Sequence, residues 1–362
     1  MYTNVFDCIV TIKQEFLEVG MNEIYLIDPK AKVSRWIEKG IAMVSLSQNF
    51  GKIVEAFRKK PSIFIQHCFP VHKVIDLQSY MENNRNSDKE TKISETILKG
   101  PIFKILEDSK ELFTFLDTKK TFSVQVRIMG EMEKQFRRQN FEEVFSAELR
   151  MNGYLLNVQN PEMAVTLAIA NNFCYIGISD IGDNCSSWSG GIHRFAKEKE
   201  QVSRAEFKLL EALEYFQVDL SLCKTAVDLG AAPGGWSRVL LNRGFTVFAV
   251  DPAVLNDSLM LEKNLQYFKE SAQEFFKRDL ESTFDLIVND MKMDSIDSAK
   301  IMCAAIKILK KEGIGIITLK LPKNDIKRKI KSAIKILEQH YTVIGIKQLF
   351  SNRSEVTVMI KK

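Results

Sequence analysis

The stretch Thr225-Ala226-Val227-Asp228-Leu229-Gly230-Ala231-Ala232-Pro233-Gly234-Gly235-Trp236-Ser237 constrains the fold more than any other. Val227 and Leu229 give it an apolar body of strand length. Gly230, Gly234 and Gly235 permit positive φ and let the backbone approach a ligand with no Cβ in the way. A helix is expected to open at Gly235-Trp236. Strand, glycine turn and helix in that order predict one unit of an open α/β sheet. Asp228 then stands at the strand's carboxyl end, where such sheets bind ligands.

The 362 residues suffice for two or three domains. Lysine and arginine (51) exceed aspartate and glutamate (46) by only five, which permits a nucleic-acid partner without demanding one. The six cysteines are scattered, with no C-x-x-C, and the four histidines form no H-E-x-x-H. Reduced cytoplasmic thiols are therefore expected, with no metal site. No secretory signal is read, and no apolar run reaches membrane-span length. A cytoplasmic protein, off the membrane and monomeric, is the expectation.

Residues 1–80 alternate short apolar runs with helix-like pieces, such as Ile24–Ile27, Ile53–Phe57 and Ile63–Ile65. Residues 82–92 are polar and read as a loop, followed by a helix through Ile93–Leu98 that Gly100-Pro101 interrupts. Strands are expected at Phe122–Val126, Tyr154–Val158 and Phe173–Ile178, and one long helix over Phe136–Leu149. Met163–Ile169 suits a strand or, after Pro161, a helix. Residues 179–200 are rich in Ser, Gly, Asp and Asn and read as a flexible connector. Domains are accordingly placed at 1–80, 81–180 and 201–362, with a linker at 181–200. Beyond it, Ser203 and Glu206 form a capping box for a helix through Phe207, Leu210 and Leu213. Strands at Thr246–Val250, Phe284–Asn289 and Gly313–Lys320 alternate with helices, and Thr342–Gln348 with Glu355–Ile360 reads as a terminal hairpin. The fold class is α/β: a doubly wound, mostly parallel sheet after an α+β region.

Asp251 ends the strand after the turn, spaced to accept both hydroxyls of a ribose. The turn is G-x-x-x-G-G, and no Lys-Ser/Thr follows it, so a phosphate loop is disfavoured. A ligand with a ribose and no pyrophosphate fits better, namely S-adenosylmethionine, with Asp228 suited to its ammonium end. The competing reading is a glycine turn that serves packing alone.

Asp-Leu-Gly-Ala-Ala-Pro-Gly-Gly-Trp-Ser resembles the first motif of the FtsJ-type ribose 2′-O-methyltransferases. Four further segments match that family in order: Ser203–Leu209 supplies Lys208, Asn289-Asp290-Met291 supplies Asp290, Leu319–Pro322 supplies Lys320, and Arg353–Val358 supplies Glu355. The resemblance implies a Rossmann-like methyltransferase domain with a Lys208-Asp290-Lys320-Glu355 tetrad. It also implies a cofactor site at Asp228, Gly230, Ala231, Pro233, Gly234, Gly235, Trp236, Asp251 and Asp290. The family tends to carry an Asp facing adenine after the third strand; here Ser271 stands there, so Glu270, Ser271 or Gln273 takes that role. Phe173–Ile178, the Ser/Gly stretch and Gln348-Leu349-Phe350 are similar to bacterial enzymes that methylate a cytidine of large-subunit ribosomal RNA. Those enzymes carry an N-terminal ferredoxin-like piece and a THUMP RNA-binding domain, with which Lys60–Val71 is compatible.

The tetrad also makes chemical sense. A ribose 2′-hydroxyl is almost wholly protonated at neutral pH, and a positioned base contributes roughly 10²–10⁴-fold. Lys320, closing an apolar strand, is expected to be that base, with Lys208 depressing its pKa and positioning the ribose. Asp290 and Glu355 would orient the lysines. No metal is needed. The partner is then RNA, most simply ribosomal RNA; transfer RNA or another structured RNA is the alternative, as is a non-catalytic RNA-binding protein that keeps the cofactor fold. Lys323, Lys327, Arg328, Lys329, Lys331 and Lys335 follow Lys320 as a charge run, either a solvated face or a phosphate-contacting one.

Overall fold

The computed structural model describes residues 1–78, 95–196, 198, 200–280 and 283–362. It contains two units, Met1–Ile192 and His193–Lys362. The polar stretch 82–92, expected as a loop, and Ile93 lie outside the described residues.

The first unit opens with β1 (Asp7–Ile12), α1 (Leu17–Ile27), β2 (Lys32–Glu38), β3 (Ile41–Ser45), α2 (Phe50–Lys59) and β4 (Ile65–Pro70). The sheet order β2-β3-β1-β4, with antiparallel pairing throughout, is ferredoxin-like. A second sheet follows from β5 (Lys73–Asp76), α3 (Glu95–Ser109), β6 (Thr121–Ile128), α4 (Met132–Gln135), α5 (Arg138–Met151), β7 (Leu155–Leu156), β8 (Met163–Ala170) and β9 (Phe173–Asp180), in the order β5-β9-β8-β6-β7. Ile9 and Phe69 of the first sheet share a core with Ala168 and Tyr175 of the second. β1 and β4 are thus covered on both faces and are buried along almost their whole length, polar Thr11, Gln66 and His67 included.

Three local expectations are corrected, and one left open is settled. Met163–Ile169 is a strand, because β8 pairs with β6 on one side and β9 on the other and is buried along its length. The helix α3 runs through Gly100-Pro101: burying Ile102, Ile105 and Leu106 outweighs the breakers. The long helix starts at Arg138, two residues later than expected, because Phe136 is extended and packs its ring 5.5 Å from Phe141. β7 stops after two residues, where the Asn157 side chain turns the chain by accepting the Gln159 and Asn160 N–H groups.

The first part of the expected flexible connector is anchored. Asn184 O accepts the Cys68 N–H at 2.9 Å, and buried Asp183 pairs with Arg58 at 2.7 Å. The buried edge of β4 needs partners for its backbone, and this stretch supplies them.

The second unit holds α6 (Ala205–Tyr215), β10 (Thr225–Leu229), α7 (Gly235–Leu241), β11 (Thr246–Val250), β12 (Leu265–Phe268), α8 (Ala272–Phe275), β13 (Phe284–Asn289), α9 (Ser295–Ala304), β14 (Leu309–Lys320), α10 (Ile326–Leu337), β15 (Thr342–Lys347) and β16 (Glu355–Lys361). Its seven-stranded sheet runs β12-β11-β10-β13-β14-β16-β15. The first five strands are parallel, and β16 inserts antiparallel between β14 and β15. Register aligns the carboxyl ends: Phe268, Val250, Leu229, Asn289 and Ile317 stand in one row across the sheet. Residues far apart in sequence therefore emerge at one edge. Leu209, Ala212 and Leu213 fix α6 against the core that Trp236, Val239 and Leu240 of α7 also enter. Ser203 and Glu206 form the expected box: Ser203 Oγ accepts the Ala205 N–H, and Glu206 Oε1 accepts that of Ser203.

Candidate active site

The glycine turn joins β10 to α7. Gly230 has φ +77°, and a Cβ there would lie 2.2 Å from Met291 Cγ. Gly234 has φ +110°, and its Cβ would meet Leu259 Cδ1 at 2.1 Å. Both positions exclude a side chain twice over, by conformation and by space. Asp228 is 1% exposed, and Ser237 Oγ donates to its Oδ2 at 2.7 Å, tying strand to helix across the turn. Burial pushes the Asp228 carboxyl up to about 7; the Ser237 hydroxyl opposes this, while the Asp290 and Asp251 charges add to it. Ala231 is buried and Pro233 exposed. The Trp236 indole donates to Ala205 O at 2.7 Å and so binds α7 to the start of α6.

Asp251 faces the same turn. Its Oδ2 accepts the Ala232 N–H at 3.0 Å, and its Oδ1 accepts that of Ala253 at 2.7 Å. A carboxylate has about four acceptor positions, so two remain for a diol. A glycine turn beside a half-satisfied carboxylate fits S-adenosylmethionine. Glu270 is held by Arg278 at 2.8 and 3.1 Å, and those hydrogen bonds keep its carboxyl below the usual range. Arg278 in turn lies 4.9 Å over the Phe268 ring. Ser271 caps α8 by accepting the Glu274 N–H at 3.2 Å, and Gln273 is exposed.

Lys208, Asp290, Lys320 and Glu355 come together. Lys208 Nζ lies 2.6 Å from Glu355 Oε1 and 3.1 Å from Asp290 Oδ2. Lys320 Nζ lies 3.4 Å from Asp290 Oδ1 and 3.6 Å from Glu355 Oε2. Each carboxylate bridges both ammonium groups, and two positive charges balance two negative ones. Burial works against the Lys208 ammonium, but Asp290 and Glu355 outweigh it and hold its pKa above the ordinary lysine value. Burial likewise opposes ionisation of Glu355, yet the Lys208 hydrogen bond and both lysine charges keep its pKa low. The Lys320 side chain is 26% exposed against 13% for Lys208, and its contacts are longer. Lys320 is therefore the lysine that an incoming substrate can meet.

Two supporting groups escaped the sequence reading. Thr318 Oγ1 donates to Asp290 Oδ1 at 2.7 Å from a fully buried position. Its signal was present, because residues two apart on a strand share a face, and Thr318 precedes Lys320 by two. Glu211, one helical turn beyond Lys208, is 2% exposed and accepts the Phe350 and Ser351 N–H groups at 2.7 and 2.8 Å. One helix thus carries Lys208 and holds the loop that leads to Glu355. Among the described residues, no group of three His, Cys, Asp or Glu could hold a metal ion. No helix among them is long and apolar enough to cross a membrane.

The chain is 32% identical over 203 residues to "Ribosomal RNA large subunit methyltransferase M" of Pseudomonas fluorescens, covering 52% of this chain and 55% of that protein. It is 30% identical over 243 residues to the protein of the same name from Pseudomonas syringae, covering 62% and 66%. The chain thus spans less than two thirds of these curated relatives. Among solved structures, TrmN from Thermus thermophilus aligns over 99% of both chains at 11% identity, with a TM-score of 0.38. The family described as FtsJ-like methyltransferase matches residues 201–346 of this chain.

Proposed function

We propose that this chain is an S-adenosylmethionine-dependent RNA ribose 2′-O-methyltransferase that acts in the cytoplasm on a cytidine of large-subunit ribosomal RNA. The convergence of Lys208, Asp290, Lys320 and Glu355 beside the Gly230–Gly235 turn carries this reading. The names of the Pseudomonas relatives support the ribosomal substrate. In the first unit, a ferredoxin-like piece in residues 1–80 and a THUMP-like module in 81–180 would hold the RNA, and residues 181–200 would link them to the catalytic domain.

When bound, S-adenosylmethionine supplies an electrophilic methyl group. Asp251 would accept its ribose hydroxyls, and Asp228 stands behind the turn. Lys320 Nζ, once it has released its own extra proton to solvent, would take the proton of the substrate 2′-hydroxyl. Lys208, fixed by two carboxylates, positions the substrate ribose, while Asp290 and Glu355 orient both lysines. A base held in place contributes roughly 10²–10⁴-fold, and near-attack geometry supplies the other main gain.

The test is a map of 2′-O-methyl positions in ribosomal RNA from cells with and without the protein. One large-subunit cytidine should lose its methyl group. A change confined to transfer RNA would move the substrate and keep the chemistry; no change in any RNA would end the proposal.

A further inference from the structure

The positive charge of this chain is concentrated. Residues 320–335 hold seven basic residues and one acidic residue, a surplus of six, whereas the whole chain carries a surplus of five. The remainder of the molecule is thus close to neutral, and whatever the basic surplus serves, it serves there.

The helix α10 explains how this charge is displayed. Ile326, Ile330, Ala333 and Leu337 are buried, which fixes the rotation of the helix about its axis. Lys327, Lys331 and Lys335 are exposed. At spacings of four residues they form a stripe along the outer face, each about 6 Å and one turn beyond the last. Arg328 and Lys329 pair with Asp325 and Asp294, at 2.8 and 2.5 Å. The stripe lysines make no ion pair among the described residues. Three like charges kept in line and unneutralised disfavour the helix slightly. A structural role would favour interleaved acids, as on an ordinary solvated face.

Placement decides the matter. The chain leaves the catalytic edge at Lys320 and enters α10 six residues later. Exposed Lys323, which makes no ion pair among the described residues, lies between them, and Lys292 follows β13 on the same edge. A row of cations running away from the tetrad fits a polyanion that enters the site and continues past it.

We infer that the Lys327-Lys331-Lys335 face of α10 is a docking surface for the RNA backbone, contacting phosphates next to the nucleotide held at the tetrad. This rests on the proposed function above and specifies which surface of the catalytic domain holds the substrate strand. Such contacts are independent of sequence, add affinity through counterion release, and leave the chemical step alone.

The experiment uses the full chain with Lys327→Gln, Lys331→Gln and Lys335→Gln combined, after circular dichroism and Tm show that the variant folds. Binding to a large-subunit ribosomal RNA fragment is titrated across salt concentrations. Three lost phosphate contacts should make the slope of log affinity against log salt shallower by about 2 and weaken binding near 0.1 M salt on the order of 100-fold. Methylation at saturating RNA should keep its kcat while KM rises. An unchanged slope overturns the surface. So does loss of binding to phosphatidylglycerol vesicles with RNA affinity intact, which would make the face a membrane contact. The slope is read without turnover, so a wild-type protein that binds RNA but methylates none would sink the proposed function and still test this surface.

Discussion

Lys320 on β14 and Glu355 on β16 are register partners across an antiparallel pair, facing each other at the carboxyl end of β14. Their side chains cannot drift apart without breaking the ladder that runs from Ile314–Lys361 to this pair. The proposed base thus has its counter-ion built into the sheet, while Lys208 arrives from a helix.

This predicts that the two lysines fail differently when replaced. Lys320→Ala should abolish methyl transfer, keep cofactor affinity and cost little stability, since Lys208 still pairs with both carboxylates. Lys208→Met should abolish transfer and also destabilise by about 3 kcal/mol, because Glu355 is left buried and without its close partner. Adding Glu355→Gln to Lys208→Met should return part of the lost stability. Chemical denaturation and cofactor titration separate the cases; equal stability of the two single variants would count against the assignment.

Thr318 should act through Asp290. Thr318→Val keeps the shape of the side chain and removes the hydroxyl that donates to Oδ1. Asp290 Oδ1 keeps its lysine contacts, so the loss is one hydrogen bond to a charged group, about 1.5–3 kcal/mol. Lower kcat with unchanged KM for RNA is expected, and Thr318→Ser should restore most of it. If serine rescues nothing, Thr318 is a packing residue only.

Asp228 should make stability depend on pH. Its folded pKa, about 7, lies above the ordinary 3.8, so the native state holds a proton that the unfolded chain has lost between those values. The stability from this proton is complete below the lower value and is lost as pH rises through about 7. Asp228→Asn removes the dependence, so its Tm advantage over the wild type should widen from pH 5 to pH 8. A constant difference across that range would refute the coupling.

Gly230 and Gly244 separate conformation from space. Both have positive φ, +77° and +81°, but a Cβ on Gly244 meets nothing within 4 Å. Gly244→Ala should therefore cost only the backbone term, about 1–2 kcal/mol. Gly230→Ala should cost clearly more, because Met291 must also move, and Met291→Ala should recover part of the excess. Equal costs, measured by denaturation, would show that Met291 yields freely.

The strand, turn and helix around Gly230 were legible because local chemistry dictates them: apolar alternatives at β10, glycines at positive φ and a helix starting at Gly235. Lys208, Asp290, Lys320 and Glu355 were legible one by one through motifs, and Ser203 with Glu206 through capping chemistry. Met163–Ile169 could not be resolved, since an apolar run takes its form from its neighbours, and β6 and β9 lie far off in sequence.

The sequence by itself determined which local pieces form and which residue types they bring to the sheet's carboxyl edge. Only the tertiary structure decided what those residues touch. Register placed Asp290, Lys320 and Glu355 together, burial selected Lys208 as the tightly held cation and Lys320 as the open one, and Ser237 claimed Asp228 from behind. Distances between groups set charge balance and proton affinity, and those distances exist only after strands separated by dozens of residues have paired.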